Sequence, residues 1–406
     1  MSGFLLLTIT AQWHTMIVDA GRDHSTPVIF ADSNGYPVIA VGVGGGGNDR
    51  SEFRWTGDKW LERPIPYNFD KANIRLDRNG YLHIMNAGYG YLIDYHQTDT
   101  GWWAWVSPPC WAACMTLDSF NLPHFVGGSV HCWLRPDSTW VTDTLQVYLG
   151  GILMMAVTDP LDNIHVMAYT ETTVKYGLWS DSSWICETVY DAGDSGDFLF
   201  SELWLYADPF GGPHLFFYPY MLDGYKFRYA WKDSLENWHT EAYYTLDGNP
   251  LSSRSMVVDS LGIRHTVTFD STGIYHVIRY PWEKAWHVRE RIDTCSSASR
   301  RAMAIDRFGY LHLVFTDGSD YTLYYATTNP DIGVYEFPPE PKPGLTLLMA
   351  PGGFWITGYS GPTQIYDPAG RLVLSKEIKG KTLINPLKPG VYFVVAGRQR
   401  ARIATR

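Results

Sequence analysis

An aspartate opens a turn seven times along this 406-residue chain, at Asp32, Asp77, Asp118, Asp159, Asp208, Asp259 and Asp306, with intervals of 45, 41, 41, 49, 51 and 47 residues. Each turn carries glycine, asparagine or both. Six residues after the aspartate stands a histidine, His83, His124, His165, His214, His265 or His312, in every copy but the first, which has Val38. A period of about 40 to 50 residues restricts a chain to propeller blades or helical arrays. The flanks decide for strands, because runs such as Met303-Ala304-Ile305 end at the aspartate and runs such as Leu313-Val314-Phe315 follow the turn. The repeat is therefore a hairpin.

A third aromatic-rich segment follows each hairpin, as in Thr322-Leu323-Tyr324-Tyr325-Ala326, and then a fourth that opens near tryptophan: Trp60, Trp103 or Trp105, Trp140, Trp184, Trp238 and Trp286. Four short strands make one blade. The seventh hairpin has no such fourth segment, whereas the chain begins with an orphan one, Gln12-Trp13-His14-Thr15-Met16-Ile17-Val18. The expected fold is thus all-β: a seven-bladed β-propeller over residues 12–330, closed by an N-terminal strand that removes an open edge.

Residues 331–343 are proline-rich and read as a stiff linker. Beyond it, residues 344–406 hold nine Lys/Arg against two Asp/Glu, which leaves the first 343 residues with 23 basic against 40 acidic. An acidic propeller is a poor match for nucleic acid, whose binding rests on neutralised phosphates. No run reaches the roughly 18 apolar residues that span a bilayer. Residues 1–11 have the apolar run and small terminal residue of a truncated signal peptide, with cleavage expected after Ala11. Five cysteines are too few for a disulfide scaffold, although Cys110 or Cys114 is a candidate partner for Cys132.

The tail contains Tyr366-Asp367-Pro368-Ala369-Gly370-Arg371, a hairpin turn, and Pro389-Gly390-Val391-Tyr392-Phe393, a strand entered through a Pro-Gly turn. These segments resemble the type A sorting domain of the bacterial type IX secretion system. The tail's length and hairpins suit a small β-sandwich, and the resemblance implies export, contact with outer-membrane secretion machinery and a secreted or cell-surface location. The Tyr-Pro-Asn-Pro entry common in that family is replaced here by Leu348-Met349-Ala350-Pro351-Gly352-Gly353-Phe354-Trp355.

The six repeat histidines sit on separate blades, so they do not converge on one metal; they are expected to pack within their own blades, as the aspartates cap their own turns. The likeness to the Asp-box propellers of sialidases and lectins is architectural only, since these copies read Asp-x-x-Gly and place tryptophan on another strand. Function is expected in the loops between second and third strands and between blades. There Tyr89, Trp111, Asp194, Asp197, Phe198 and Tyr220 combine aromatic faces with carboxylates, the chemistry that holds sugars. No cofactor is expected, although the spacing of Asp191, Asp194 and Asp197 makes calcium the one metal to consider. The sequence reading is a monomeric, exported, non-enzymatic binder of polysaccharide or glycoprotein. The alternatives are a secreted glycoside hydrolase or polysaccharide lyase, or a protein-interaction scaffold.

Overall fold

The computed structural model describes residues 12–332 and 346–405 with interruptions, chiefly at 44–48, 145–153, 192–197, 221–227, 243–254 and 385–389. The chain divides into two compact units, Met1–Val334 and Tyr335–Arg406. The first contains seven four-stranded antiparallel sheets. In chain order they occupy residues 24–64, 74–109, 114–144, 154–191, 198–242, 256–293 and 298–327, and we number the blades accordingly. The seventh sheet takes its fourth strand from the N-terminus: His14–Asp19 pairs with Leu323–Thr327, with His14 opposite Thr327.

Seven hydrophobic clusters join neighbouring blades. Val38 meets Ile84 between blades 1 and 2, Met85 meets Phe125 between 2 and 3, and Val126 meets Val166 between 3 and 4. Tyr176 and Phe217 join 4 to 5, Tyr229 and Val277 join 5 to 6, and Val257 and Leu313 join 6 to 7. The last cluster packs Val314 and Tyr325 of blade 7 on Ile39 and Trp55 of blade 1, which closes the ring. Ile332, beyond the last strand of the propeller, is buried in that same cluster. Burying each such side chain contributes roughly 1.5–3 kcal/mol, so cohesion is spread over all seven joints. The joint between blades 1 and 2 adds a polar clasp: fully buried Glu52 accepts from Arg54 Nε at 2.8 Å and from Gln97 Nε2 at 2.9 Å.

The seven aspartates build one turn. In the seventh copy Asp306 Oδ1 accepts the backbone N–H groups of Phe308 and Tyr310 at 2.9 and 2.8 Å, while the Gly309 N–H donates to the Asp306 carbonyl at 3.0 Å. The third residue after the aspartate adopts left-handed backbone, with φ of 80° at Gly35, 87° at Gly309 and 65° at both Asn121 and Asp162. Glycine, asparagine and aspartate tolerate that conformation best, which explains the composition of the repeat. The same turn recurs between the third and fourth strands of blade 5, where the Asn237 N–H donates to Asp233 Oδ1 at 3.0 Å.

Cys114 and Cys132 are buried and form no disulfide with each other, which corrects the expected pairing for Cys114; Cys110 lies outside the described residues. The reason is register. Cys114 stands opposite Val126 and Cys132 opposite Phe125, so the two sulfurs point to opposite faces of the third sheet.

The second unit is a small β-sandwich. A three-stranded and a four-stranded sheet enclose a core of Phe354, Ile356, Ile365, Ile378, Ile384, Tyr392 and Val394. At its hairpin the Arg371 N–H donates to Asp367 Oδ1 at 2.9 Å and Arg371 Nε to Oδ2 at 2.7 Å. Gly370 and Pro389 lie outside the described residues, and Gly390 and Val391 begin the strand Gly390–Ala396.

Candidate functional site

Antiparallel connectivity gives each blade two ends. One carries the aspartate turns and the third-to-fourth turns; the other carries the second-to-third loops and the connections between blades. We call these the turn face and the loop face.

The loop-face candidates Tyr89, Trp111, Asp194 and Asp197 lie outside the described residues. Phe198 and Tyr220 are described in backbone only; they are register partners at the loop-face end of blade 5. Among the described residues no cluster of three or more His, Cys, Asp or Glu has metal-binding geometry. The calcium candidates Asp194 and Asp197 fall outside that description. Several arginines of the propeller are engaged apart from one another: Arg50 lies 5.8 Å from the Phe69 ring centroid, Arg228 4.8 Å from that of Tyr190, and Arg279 pairs with Glu241 on the turn-face side of blade 6.

The best-defined polar site on the loop face lies where blade 7 meets blade 1. The chain leaves the closing strand at Asp19 and enters blade 1 at His24, whose side chain is fully buried. His24 Nδ1 donates to the Tyr321 carbonyl at 2.8 Å, and Nε2 lies 2.7 Å from Asp19 Oδ2. Arg22 Nε donates to that same Asp19 oxygen at 2.6 Å, and its Nη1 to Glu62 Oε1 at 2.9 Å. The Glu62 and Asp19 carboxylates hold the Arg22 guanidinium above its ordinary pKa, and Arg22 in turn lowers that of Glu62. Arg300 Nη1 donates to the His24 carbonyl and sits 3.6 Å from Asp23.

Tyr321 is the outlier of this site. It has φ of 61°, unusual for so bulky a residue, and is 45% exposed. Its N–H donates to the Asp317 carbonyl at 2.9 Å and its carbonyl is taken by His24, so both backbone groups are fixed while the phenol faces water. Sequence reading passed over His24, although a histidine out of register with the repeat was the available signal.

The repeat histidines form a different system, buried inside each blade. His165 Nε2 lies 3.3 Å from Asp159 Oδ2, and Tyr176 donates its hydroxyl proton to His165 Nδ1 at 2.6 Å. Blades 5 and 7 repeat the chain as Asp208–His214–Tyr229 and Asp306–His312–Tyr325, each with a 2.6 Å tyrosine bond. Because the hydroxyl donates to Nδ1, the imidazole N–H sits on Nε2 and faces the aspartate. Burial raises the Tyr229 hydroxyl to about 12. Desolvation would raise Asp159, but bonds from His165, Asn163 and the turn backbone outweigh it and hold the carboxyl at about 2.

The partner on the third strand sets the proton inventory of the other blades. In blade 2 burial would push His83 down, yet Asp94 and Asp77 on either side raise it to about 9. In blade 3 His124 Nδ1 meets His131 Nε2 at 3.0 Å, and burial lowers His131 to about 2. In blade 6 His265 meets His276 at 3.0 Å, and His276 reaches Glu290 at 2.7 Å. An Asp–His–Tyr chain has the composition of a catalytic relay, but the histidines and tyrosines here are at most 5% exposed and offer substrate no access. A shallow cavity of about 170 Å³ opens on the turn face among Asp77, Asp118 and Asp159, whose carboxylates are already engaged in their turns.

No protein-family model matches the chain, and no curated protein does. Solved structures of similar fold include Kuenenia stuttgartiensis hydrazine synthase, at 8% identity and a TM-score of 0.53 over 80% of this chain and 98% of that one. The polysaccharide lyase Uly1 is 8% identical, with a TM-score of 0.51 over 74% and 89% of the two chains. A streptogramin B lyase is 9% identical, with a TM-score of 0.50 over 77% and 97%. At this identity the likeness concerns the fold, and the fold it supports is the β-propeller.

Proposed function

We propose that the protein is an exported, non-enzymatic propeller that binds polysaccharide or glycoprotein through its loop face, with the C-terminal unit serving export or surface attachment. The carrying observation is Tyr321, an exposed aromatic ring on left-handed backbone anchored by buried His24. Strained backbone is retained where the surrounding structure fixes it for a purpose. Half-buried Asp23 and Arg300 adjoin the same His24, giving the pairing of ring face and hydroxyl-binding polar groups that sugars require. In this reading Tyr89, Trp111, Asp194, Asp197, Phe198 and Tyr220 extend the binding rim toward blades 2, 3 and 5. The fold alone does not choose between binding and cleavage, since similar propellers include a lyase and a hydrazine synthase.

The test is a polysaccharide and glycan array on the full chain, reading retained protein and released sugar in each well. Retention without release, lost in Tyr321→Ala, supports the binder; release of sugar supports the hydrolase or lyase instead. For the tail, deletion of residues 344–406 is expected to hold the protein inside a host that has type IX secretion. Unchanged export would remove that role.

A further inference from the structure

Each aspartate turn presents one side chain at its tip, two residues after the aspartate. Blades 1 and 2 carry Asn34 and Asn79 there, whereas blades 3 to 7 carry Phe120, Leu161, Phe210, Leu261 and Phe308. Phe120 is 72% exposed, Leu161 74% and Phe308 57%. The turn does not need them. The tip residue contributes its backbone N–H to the aspartate, and Asn34 does so at 2.8 Å as Phe120 and Leu161 do. Turn tips are ordinarily polar, so five consecutive apolar tips call for a cause outside the turn.

The tips of blades 3 to 6 form one surface, because those turns touch in succession, with Leu261 half-buried among them and Phe308 following on blade 7. Asp162 accepts the Ser119 N–H at 2.8 Å, a Cβ built on Gly211 would fall 2.8 Å from Asp159, and one built on Gly262 would fall 4.0 Å from the Phe210 ring. The result is an apolar crescent around the inner edge of the turn face, and exposed apolar patches mark interaction sites. Farther out on this face stand the third-to-fourth turns, where exposed Asp58, Asp99, Asp137 and Glu236 outnumber Lys59 and Arg135, although Lys232 pairs with Glu236 and Arg307 lies over the Phe308 ring.

We propose that this crescent docks a basic amphipathic protein segment, apolar on one side and flanked by Lys or Arg. The acidic rim selects this occupant by charge complementarity. A second copy would set acidic rim against acidic rim, and an anionic lipid surface would be repelled in the same way. A glycan is a poor fit, since Leu161 and Leu261 offer no ring face.

The probe is a labelled 18-residue amphipathic Leu/Lys peptide titrated against the full chain, beside a Leu/Glu counterpart. The wild type is expected to bind the Leu/Lys peptide alone. Affinity should fall at least tenfold in F120S/L161S/F308S and severalfold in E236K, each compared with the wild type at a temperature where both are fully folded. Failure of the Leu/Lys peptide to bind, equal binding of both peptides, or an unchanged affinity in the triple variant overturns the proposal. So does Phe120-dependent self-association in ultracentrifugation, which assigns the crescent to a second copy, or Phe120-dependent co-sedimentation with phosphatidylglycerol vesicles, which assigns it to a membrane.

Discussion

The indole N–H of Trp13 donates to Glu290 Oε1 at 3.0 Å, joining the closing strand of blade 7 to the fourth strand of blade 6 across 277 residues of sequence. Glu290 also accepts from His276, whose ring meets Trp13 edge-on at 5.5 Å between centroids. Trp13→Ala therefore removes both a hydrogen bond and packing at the seam. It is expected to lower stability by roughly 2–4 kcal/mol, read as a lower urea midpoint at unchanged slope. A midpoint within error of wild type would show that the N-terminal strand is not needed for closure.

Tyr325→Phe leaves His312 Nδ1 buried without a donor, because the phenolic bond at 2.6 Å is lost while the ring still packs. The expected cost is about 1–3 kcal/mol, the price of an unsatisfied buried acceptor. Tyr321→Phe, at the exposed rim, should change stability by less than about 0.5 kcal/mol. Equal effects in urea titrations of the two variants would contradict the assignment of one tyrosine to structure and the other to the site.

Two sets of groups shape the pH dependence, and their signs differ. His276 is held down to about 4, chiefly by burial, so its contribution is complete above its ordinary 6.5 and is lost as pH falls through 4. Asp159, held at about 2 with desolvation outweighed by its hydrogen bonds, adds a further loss as pH falls from 3.8 through 2. His83 is raised to about 9 by Asp94 and Asp77 against the cost of burial; its contribution is complete below 6.5 and fades as pH rises through 9. Thermal midpoints should peak near pH 6.5 and decline on both sides. Asp94→Asn should flatten the alkaline limb while leaving the acid limb. A wild-type profile flat from pH 6.5 to 9 would contradict the buried imidazolium.

Gly35 and Gly309 occupy the same turn position with φ of 80° and 87°, yet their surroundings differ. A Cβ at Gly35 would lie 2.8 Å from Asp306 Oδ2 and 3.0 Å from the Phe308 ring, whereas none at Gly309 meets an atom within 4 Å. Gly309→Ala should cost about 1 kcal/mol for left-handed alanine alone. Gly35→Ala should cost more, since the turns of blades 7 and 1 must part. Equal losses in denaturant titrations would mean that these turns do not press on each other.

The blade repeat was legible because Asp306 and its counterparts need a left-handed residue three positions on, and the few residue types that accept it recur at a readable period. The histidine partners were not legible. Asp94, His131, Tyr176, Tyr229, His276 and Tyr325 differ in type and lie 7 to 15 residues from their histidines, so only strand register identifies them. The Cys114–Cys132 expectation failed for the same reason, because proximity in sequence carries no information about sheet face. The rim site depends on His24 meeting Tyr321 across 297 residues, a contact that exists only once the ring has closed. Its aromatic and carboxylate vocabulary was readable in the loops, but not which loops converge.

The most direct measurement is calorimetric titration of the best-retained glycan into the full chain and into Tyr321→Ala at matched thermal stability. The account predicts saturable binding to the wild type, no sugar released during the titration, and at least a tenfold loss of affinity in the variant. An unchanged dissociation constant, or cleavage of the glycan by the wild type, would contradict it.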